Sequence, residues 1–404
     1  MSNFAFGTYR ISDYNPQHIE ALKEAIESGI TMIDTSSNYM DGGAERAIAL
    51  AMREFDEETK NKVEIVSKFG YIQGENLKRH QDEAFEEVVE YSSDCFHSIS
   101  KSFLQDQLTQ TLKRLEMKKL DCYLIHNPEY YLLDAINRGV EEDDRLDEMY
   151  LRLYRAFVAL EQEVKDGRIG SYGISSNSFS SLHNSKDFLP YEDLITIADR
   201  ASEDAGNDTH SFTTLQLPIN ILEREGLKCT SWAKENGLRV LVNRPLNAQL
   251  DDSMYRLADY EESHEYYHHL NELLEVSDNE ALQPLYNLLE ELDASKHKFG
   301  WITDYDSFFF AQIIPHIKTS IDNLDEENKT TILNFIDLFF IEYRKMVAYE
   351  CSKKTRKKFQ EFFKECDSTM QECALRFLMN CQSIDYILVG MRKPSYVHEI
   401  LALS

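Results

Sequence analysis

The sequence predicts a (β/α)8 barrel with a long α-helical subdomain inserted late in the chain. Three observations carry this. Short apolar strands alternate with amphipathic helical stretches from residue 1 to about 250, the pattern of a parallel sheet covered by helices. Asp34, Tyr39, Lys68 and His126 fall at or just beyond the carboxyl ends of successive strands, the edge where such barrels place their chemistry. A long acidic, aromatic stretch, about 252–365, separates the last strand from the other seven.

The expected strands are Phe4–Thr8, Ile30–Asp34, Val63–Lys68, Leu120–His126, Ser171–Ser175, Thr213–Leu217, Leu238–Asn243 and Asp385–Val389. Helices fall between them. Pro16–Ser28 opens with proline in its first turn, and Ser102 reads as the N-cap of Phe103–Leu115. Asn236-Gly237 ends a helix before the seventh barrel strand, and a last helix runs from Pro394 to Leu403. Residues 1–251 and 366–404 therefore form the barrel. Within 252–365, helical periodicity is visible in Glu272–Leu274, Leu282–Leu292 and Thr331–Tyr343, and Ile332, Phe335, Ile336, Phe339 and Phe340 share one face. So long a connection needs structure of its own. Leaving from a strand's carboxyl end, it reads as a cap over the site, with an outward-facing oligomerisation or partner-binding element as the alternative.

Composition narrows the function. An apolar content of 42%, with 22 Tyr and 22 Phe, supports a sizeable core. A net charge of −28 argues against nucleic acid and against anionic lipid. No apolar run approaches the roughly 18 residues of a membrane span, and no signal-peptide pattern is expected ahead of the first strand. The seven cysteines are scattered without a C-x-x-C pair, which predicts reduced thiols and a cytoplasmic protein. No metal site is expected: adjacent histidines such as His268-His269 are not expected to share one helical face. The run Lys353–Lys358 has acidic neighbours in Glu350, Glu361 and Glu365 and reads as a solvated face. No G-x-G-x-x-G follows a strand, so a Rossmann reading has no support.

Asp34 alone could be a helix cap and His126 a core histidine. Four matched strand ends are a different matter, and a lysine ending a buried apolar strand is costly without a partner. The residue types suit hydride transfer to a carbonyl. The alkoxide that forms needs a proton. A tyrosine, with an ordinary pKa near ~10, supplies one if an ammonium stabilises its phenolate, an aspartate holds that ammonium, and a histidine orients the carbonyl.

In order, spacing and flanking residues, Asp34, Tyr39, Lys68 and His126 resemble the tetrad of the aldo-keto reductases. The resemblance extends further. Gly7-Thr8-Tyr9 is similar to the family's first strand, and Asp34 through Glu45 to its Asp-x5-Tyr-x5-Glu turn. Ser175-Ser176-Asn177 resembles the segment holding the nicotinamide amide, and Gln216 the glutamine binding the same group. Gly390-Met391-Arg392-Lys393-Pro394 resembles the adenosine-phosphate turn. The resemblance implies a (β/α)8 TIM barrel of the aldo-keto reductase type and an enzyme in which Tyr39 donates the proton. NADP(H) is the implied cofactor, with NAD(H) as the alternative, and a small carbonyl compound the substrate. The cofactor residues it implies are Gly7, Thr8, Tyr9, Asp34, Ser175, Ser176, Asn177, Gln216, Asn243, Arg244, Leu246, Gly390, Arg392, Lys393, Tyr396 and Glu399.

The chain departs from the family pattern in places. Where an aromatic commonly stacks on the nicotinamide, it has Val242-Asn243-Arg244-Pro245-Leu246, and Tyr396 and Ile400 replace the usual Gln and Asn. It stops at Ser404, short of the tail that shapes the family's pocket, so substrate choice is expected to rest with 252–365. These departures keep a second class in view: a slow nicotinamide-binding sensor or partner-binding module on the same barrel.

Overall fold

The computed structural model of the chain describes residues 3–82, 84–251, 253–275, 283–322 and 326–403. In chain order its strands are β1 (Phe4–Gly7), β2 (Met32–Asp34), β3 (Glu64–Phe69), β4 (Tyr71–Ile72), β5 (Val89–Ser92), β6 (Cys95–His97), β7 (Leu120–His126), β8 (Ile169–Ser175), β9 (Phe212–Pro218), β10 (Arg239–Asn243), β11 (Asn247–Leu250), β12 (Ser253–Arg256) and β13 (Tyr386–Val389). Eight close into a parallel barrel in the order β1-β13-β10-β9-β8-β7-β3-β2. The chain separates into two compact units, Met1–Pro245 with Arg376–Ser404, and Leu246–Leu375.

The barrel unit follows from a period of two. Met32, Val66, Leu124 and Leu241 belong to one buried apolar cluster with Ala5, Cys122 and Leu388. Two residues further along the same strands stand Asp34, Lys68, His126 and Asn243. Alternate residues of a strand share a face, so each polar side chain sits one layer above an apolar one. Fully burying such an apolar side chain contributes about 1.5–3 kcal/mol. Register staggers the polar residues across the first strands and levels them across the later ones: Asp34 pairs with Gly7 and Val66, Lys68 with Leu124, and His126 with Ser175, which pairs with Gln216. Gly173, two before Ser175, has no room for a side chain, because a Cβ there would lie 1.9 Å from the Thr214 carbonyl oxygen.

The outer helices are capped as sequence chemistry directs. Asn15 Oδ1 accepts from the Gln17 N–H at 3.0 Å ahead of helix Pro16–Glu27. The cap of helix Lys101–Leu115 is Ser100, not the expected Ser102; its hydroxyl accepts from the Phe103 N–H, while Ser102 turns to Glu86. Between β3 and that helix lies a small sheet, ordered β4-β6-β5, in a stretch where no element is expected from sequence.

The second unit begins with the antiparallel hairpin β11–β12, ahead of the expected residue 252, which lies outside the described residues. Helices His264–Glu275, Gln283–Ser295, Ile302–Phe308, Ile314–Ile321 and Glu326–Lys358 follow; the expected start Leu282 also lies outside the described residues. They enclose their own core of Tyr266, Leu289, Tyr305, Ile336, Phe339 and Tyr343. The Tyr343 hydroxyl donates to the Leu292 carbonyl at 2.7 Å. The face read from Ile336, Phe339 and Phe340 is buried, with Ile332 and Phe335 at its margin.

Two expectations are corrected here. Cys366 and Cys373 form a disulfide across the turn into helix Met370–Met379, with Cα atoms 6.0 Å apart. Reduced thiols were expected throughout, but seven-residue spacing across a turn brings two Cα atoms within bridging range. His268 and His269 both reach the Glu272 carboxylate, at 3.3 and 3.1 Å. Adjacency did not prevent this, because they stand four and three positions before it on the helix. Among the described residues no group of His, Cys, Asp and Glu is arranged to hold a metal, and no helix is long and apolar enough to cross a membrane.

Candidate active site

Lys68 is wholly buried, one residue from the end of β3. An ammonium there is tolerable only if its donors are satisfied. Its Nζ donates to the Asp34 carboxylate at 2.8 Å, the Thr35 carbonyl at 2.7 Å and the Tyr39 hydroxyl at 3.4 Å. Burial pushes the Asp34 carboxyl up and pulls the Lys68 ammonium down, and the ion pair opposes both shifts. Asp34 also accepts from Gln216 Nε2 at 2.6 Å, and Thr8 Oγ1 donates to its backbone carbonyl at 2.8 Å.

Tyr39 arrives on a tight turn in which its N–H donates to the Ser36 carbonyl at 3.1 Å. Its ring stands edge-on to Tyr9, centroids 5.2 Å apart, and to His126, 6.0 Å away. From sequence, Lys68 is expected to lower the Tyr39 pKa. Instead burial, followed by the Asp34 and Tyr9 oxygens, holds the phenol well above its ordinary value. The hydroxyl is therefore protonated at neutral pH, with an ammonium alongside.

His126 ends β7 and is also buried. Its Nδ1 lies 3.2 Å from Ser36 Oγ, and its backbone carbonyl is 2.7 Å from His97 Nε2. Gly70 makes the second contact possible: at φ +151°, a Cβ there would lie 2.6 Å from both the His126 carbonyl oxygen and His97 Nε2. Tyr71 packs edge-on to the imidazole at 4.8 Å and accepts from Asn127 Nδ2 at 2.6 Å. Burial, with Lys68 and His97 adding to it, keeps His126 well below the usual histidine range, so the ring is neutral.

Beside this group is an amide-rich cluster. Ser175 Oγ donates to Gln216 Oε1 at 3.0 Å and Asn243 Nδ2 to the same oxygen at 3.3 Å. Asn243 Oδ1 is buried without a hydrogen-bond partner among the described residues. Ser176 and the Asn177 N–H turn the other way, onto Glu129.

The remaining candidates are more dispersed. Gly7 and Gly390 leave the ends of β1 and β13 bare, the nearest approach of a Cβ at Gly390 being 3.9 Å from the Gly7 carbonyl oxygen. Arg392, Lys393, Tyr396 and Glu399 are exposed, around helix Pro394–Leu401, with the Lys393 ammonium 5.8 Å from the Tyr396 ring centre. Arg392 faces His18, whose pKa burial lowers first and this guanidinium further. Ile400 is a core residue. Arg244, at φ 52°, pairs with Glu223 at 3.0 Å. Leu246 is buried but belongs to the second unit.

Four side chains in contact with this group were not singled out from sequence. Ser36 lies between Asp34 and Tyr39 and was there to be noticed. Glu129 follows His126 by three residues, and the Asn-Pro between them was a turn signal. Tyr71 and His97 come from the small sheet and had no signal beyond their residue types.

A model of the aldo/keto reductase family matches residues 3–404. The aldo-keto reductase YhdN of Bacillus subtilis is 24% identical over 225 residues, 55% of this chain and 50% of that protein. The chain thus spans about half the length of the curated relative it matches. Among solved structures, the glycerol dehydrogenase AKR11B4 of Gluconobacter oxydans aligns with 100% of this chain and 92% of its own at 15% identity and a TM-score of 0.47. An aldo/keto reductase of Klebsiella pneumoniae, solved with NADP and acetate, aligns with 61% of this chain and 65% of its own at 21% identity and 0.39. The family match runs across both units and nearly end to end, and on that match this protein belongs to the aldo/keto reductase family.

Proposed function

We propose that this protein is an NADPH-dependent oxidoreductase that interconverts an aldehyde or ketone with its alcohol. The observation that carries the reading is the Lys68 ammonium held by Asp34 and Thr35 with its third donor on the Tyr39 hydroxyl. When bound, the nicotinamide supplies the hydride. Tyr39 gives its proton to the oxygen of the carbonyl as charge grows there. The phenol is a poor acid while resting, but the phenolate it becomes lies beside an ammonium already in place. His126, neutral and fixed through Ser36 and its own carbonyl, orients the carbonyl oxygen. Asp34 keeps Lys68 charged and aimed.

The residues fit the cofactor. The unpartnered Asn243 Oδ1 is an acceptor suited to the N–H of a carboxamide, and Ser175 and Gln216 stand beside it. Arg392 and Lys393 are the cations for a 2′-phosphate, which favours NADPH over NADH. The test is NADPH binding followed by fluorescence, then NADPH oxidation with a panel of aldehydes and ketones. Micromolar binding with turnover lost in Tyr39→Phe supports the reading. Tight binding without turnover of any carbonyl would favour the sensor, and binding of neither nucleotide would overturn both.

A further inference from the structure

Three residues beyond His126 is a buried carboxylate that the proton relay does not use. Glu129 is 5% exposed. One of its oxygens accepts from Ser176 Oγ at 2.8 Å and the other from the Asn177 N–H at 2.9 Å; the Ser178 N–H adds to these. On its other side the same turn is tied to β9, where the Ser176 N–H donates to the Gln216 carbonyl at 2.9 Å. The Asn127 N–H closes the circuit on the Ser175 carbonyl at 2.7 Å. The donors on Glu129 are neutral. The titratable groups facing it are the phenols of Tyr71, from β4, and Tyr130, which follows it, both held protonated by burial. A buried carboxylate served only by neutral donors costs stability, so packing alone does not account for it.

We propose that Glu129 is a positioning residue that fixes the Ser175–Ser178 turn for the nicotinamide amide and couples that turn to the loop carrying His126. The proposal rests on the reading of this turn as the cofactor's amide site. Ser175 and Ser176 are adjacent, one bonded to Gln216 and the other to Glu129, so the carboxylate determines how the turn is rotated relative to the amide cluster. Glutamine in its place has one oxygen and one NH2 where two acceptors are needed, and the NH2 cannot accept from the Asn177 N–H. Burial pushes the Glu129 carboxyl up to about 7, so its protonated form resembles the glutamine variant below neutrality.

The experiment titrates NADPH into wild type, Glu129→Gln and Glu129→Asp at pH 8 and at pH 6, with thermal melts and steady-state kinetics alongside. Losing one charge-assisted hydrogen bond from the turn should weaken NADPH binding by Glu129→Gln about tenfold at pH 8. The gap should narrow at pH 6, with the KM for the carbonyl substrate unchanged and Tm equal to wild type or higher. A residue that merely holds the fold together would lower Tm and leave the cofactor constant alone. Equal NADPH affinity at pH 8, or a loss of the same size at both pH values, overturns the proposal. If the glutamine variant does not fold, Glu129→Asp carries the pH 8 arm alone: it keeps the charge but withdraws it by one methylene, so NADPH binding should still weaken several-fold, and affinity equal to wild type overturns the proposal. Failure of wild type itself to bind either nucleotide overturns the functional reading, and this proposal with it.

Discussion

Gln216 Nε2 donates to Asp34 Oδ1 at 2.6 Å although 182 positions separate the two in the chain. Through this bond the amide cluster and the buried ion pair form one network: Ser175 and Asn243 act on Gln216, Gln216 on Asp34, and Asp34 on Lys68. Gln216→Ala should therefore affect both halves of the site. We expect the KM for NADPH to rise about fivefold, the worth of a hydrogen bond between neutral groups at about 1 kcal/mol, with a several-fold fall in kcat. Steady-state kinetics with NADPH varied at saturating carbonyl checks this, and a change in only one parameter would separate the two halves.

Tyr39→Phe removes the transferable proton and little else, since Lys68 keeps its bonds to Asp34 and Thr35. Turnover should fall by about 10²–10⁴, the usual contribution of a general acid, with NADPH affinity within about twofold. Single-turnover assays beside binding titrations measure both. Substantial residual turnover would mean another group supplies the proton.

Asp34→Asn leaves the Lys68 ammonium buried without its counter-charge. That should cost about 3–5 kcal/mol in denaturant unfolding, the typical penalty of breaking a buried pair from one side. Replacing the pair together, as Asp34→Leu with Lys68→Met, should recover most of that stability while leaving the protein inactive. A double variant no more stable than Asp34→Asn would show that the two sites do not couple.

The Glu129 carboxyl, raised from 4.5 to about 7 by burial, also gives stability a pH dependence with a definite sign. Below pH 4.5 folded and unfolded chains are both protonated there, and its contribution is full. Between 4.5 and 7 the folded chain holds a proton the unfolded chain has released. Stability is then lost as pH rises and levels off above about 7. Glu129→Gln should flatten this part of the Tm profile between pH 5 and 8, as calorimetry would record. A profile that keeps its slope in the variant would assign the dependence to another group.

The second unit has its own core and its own disulfide. Residues 246–375 expressed alone should give a helical circular dichroism spectrum and a cooperative melt. A spectrum without a transition would show that the core of Tyr266, Tyr305 and Tyr343 needs the remainder of the chain.

The barrel was legible because its strands are apolar runs bounded by turn residues, and most are followed by a helix-period stretch. The expected and observed strands differ by only a residue or two at their ends, as at Ile30–Asp34 against Met32–Asp34. Lys68 was legible for a different reason: a charge at the end of an apolar strand demands a partner. The small sheet β4-β6-β5 was not, since strands of a few residues set among Ser, Glu and Asp carry no period. Glu129 was missed because burial of a carboxylate is decided by what folds over it. Nothing in the residues flanking it reports that the Ser176 hydroxyl and the Asn177 N–H will converge there.

The layering of the barrel has a further consequence. Met32, Val66, Leu124 and Leu241 lie immediately beneath Asp34, Lys68, His126 and Asn243, so the polar side chains rest on a largely apolar floor. Thr214, two positions before Gln216, interrupts that floor and accepts from Arg239, which pairs with Glu64. Over so largely apolar a floor the Asp34 and Lys68 charges are weakly screened, and each acts on the other and on the Tyr39 hydroxyl more strongly than it would in water.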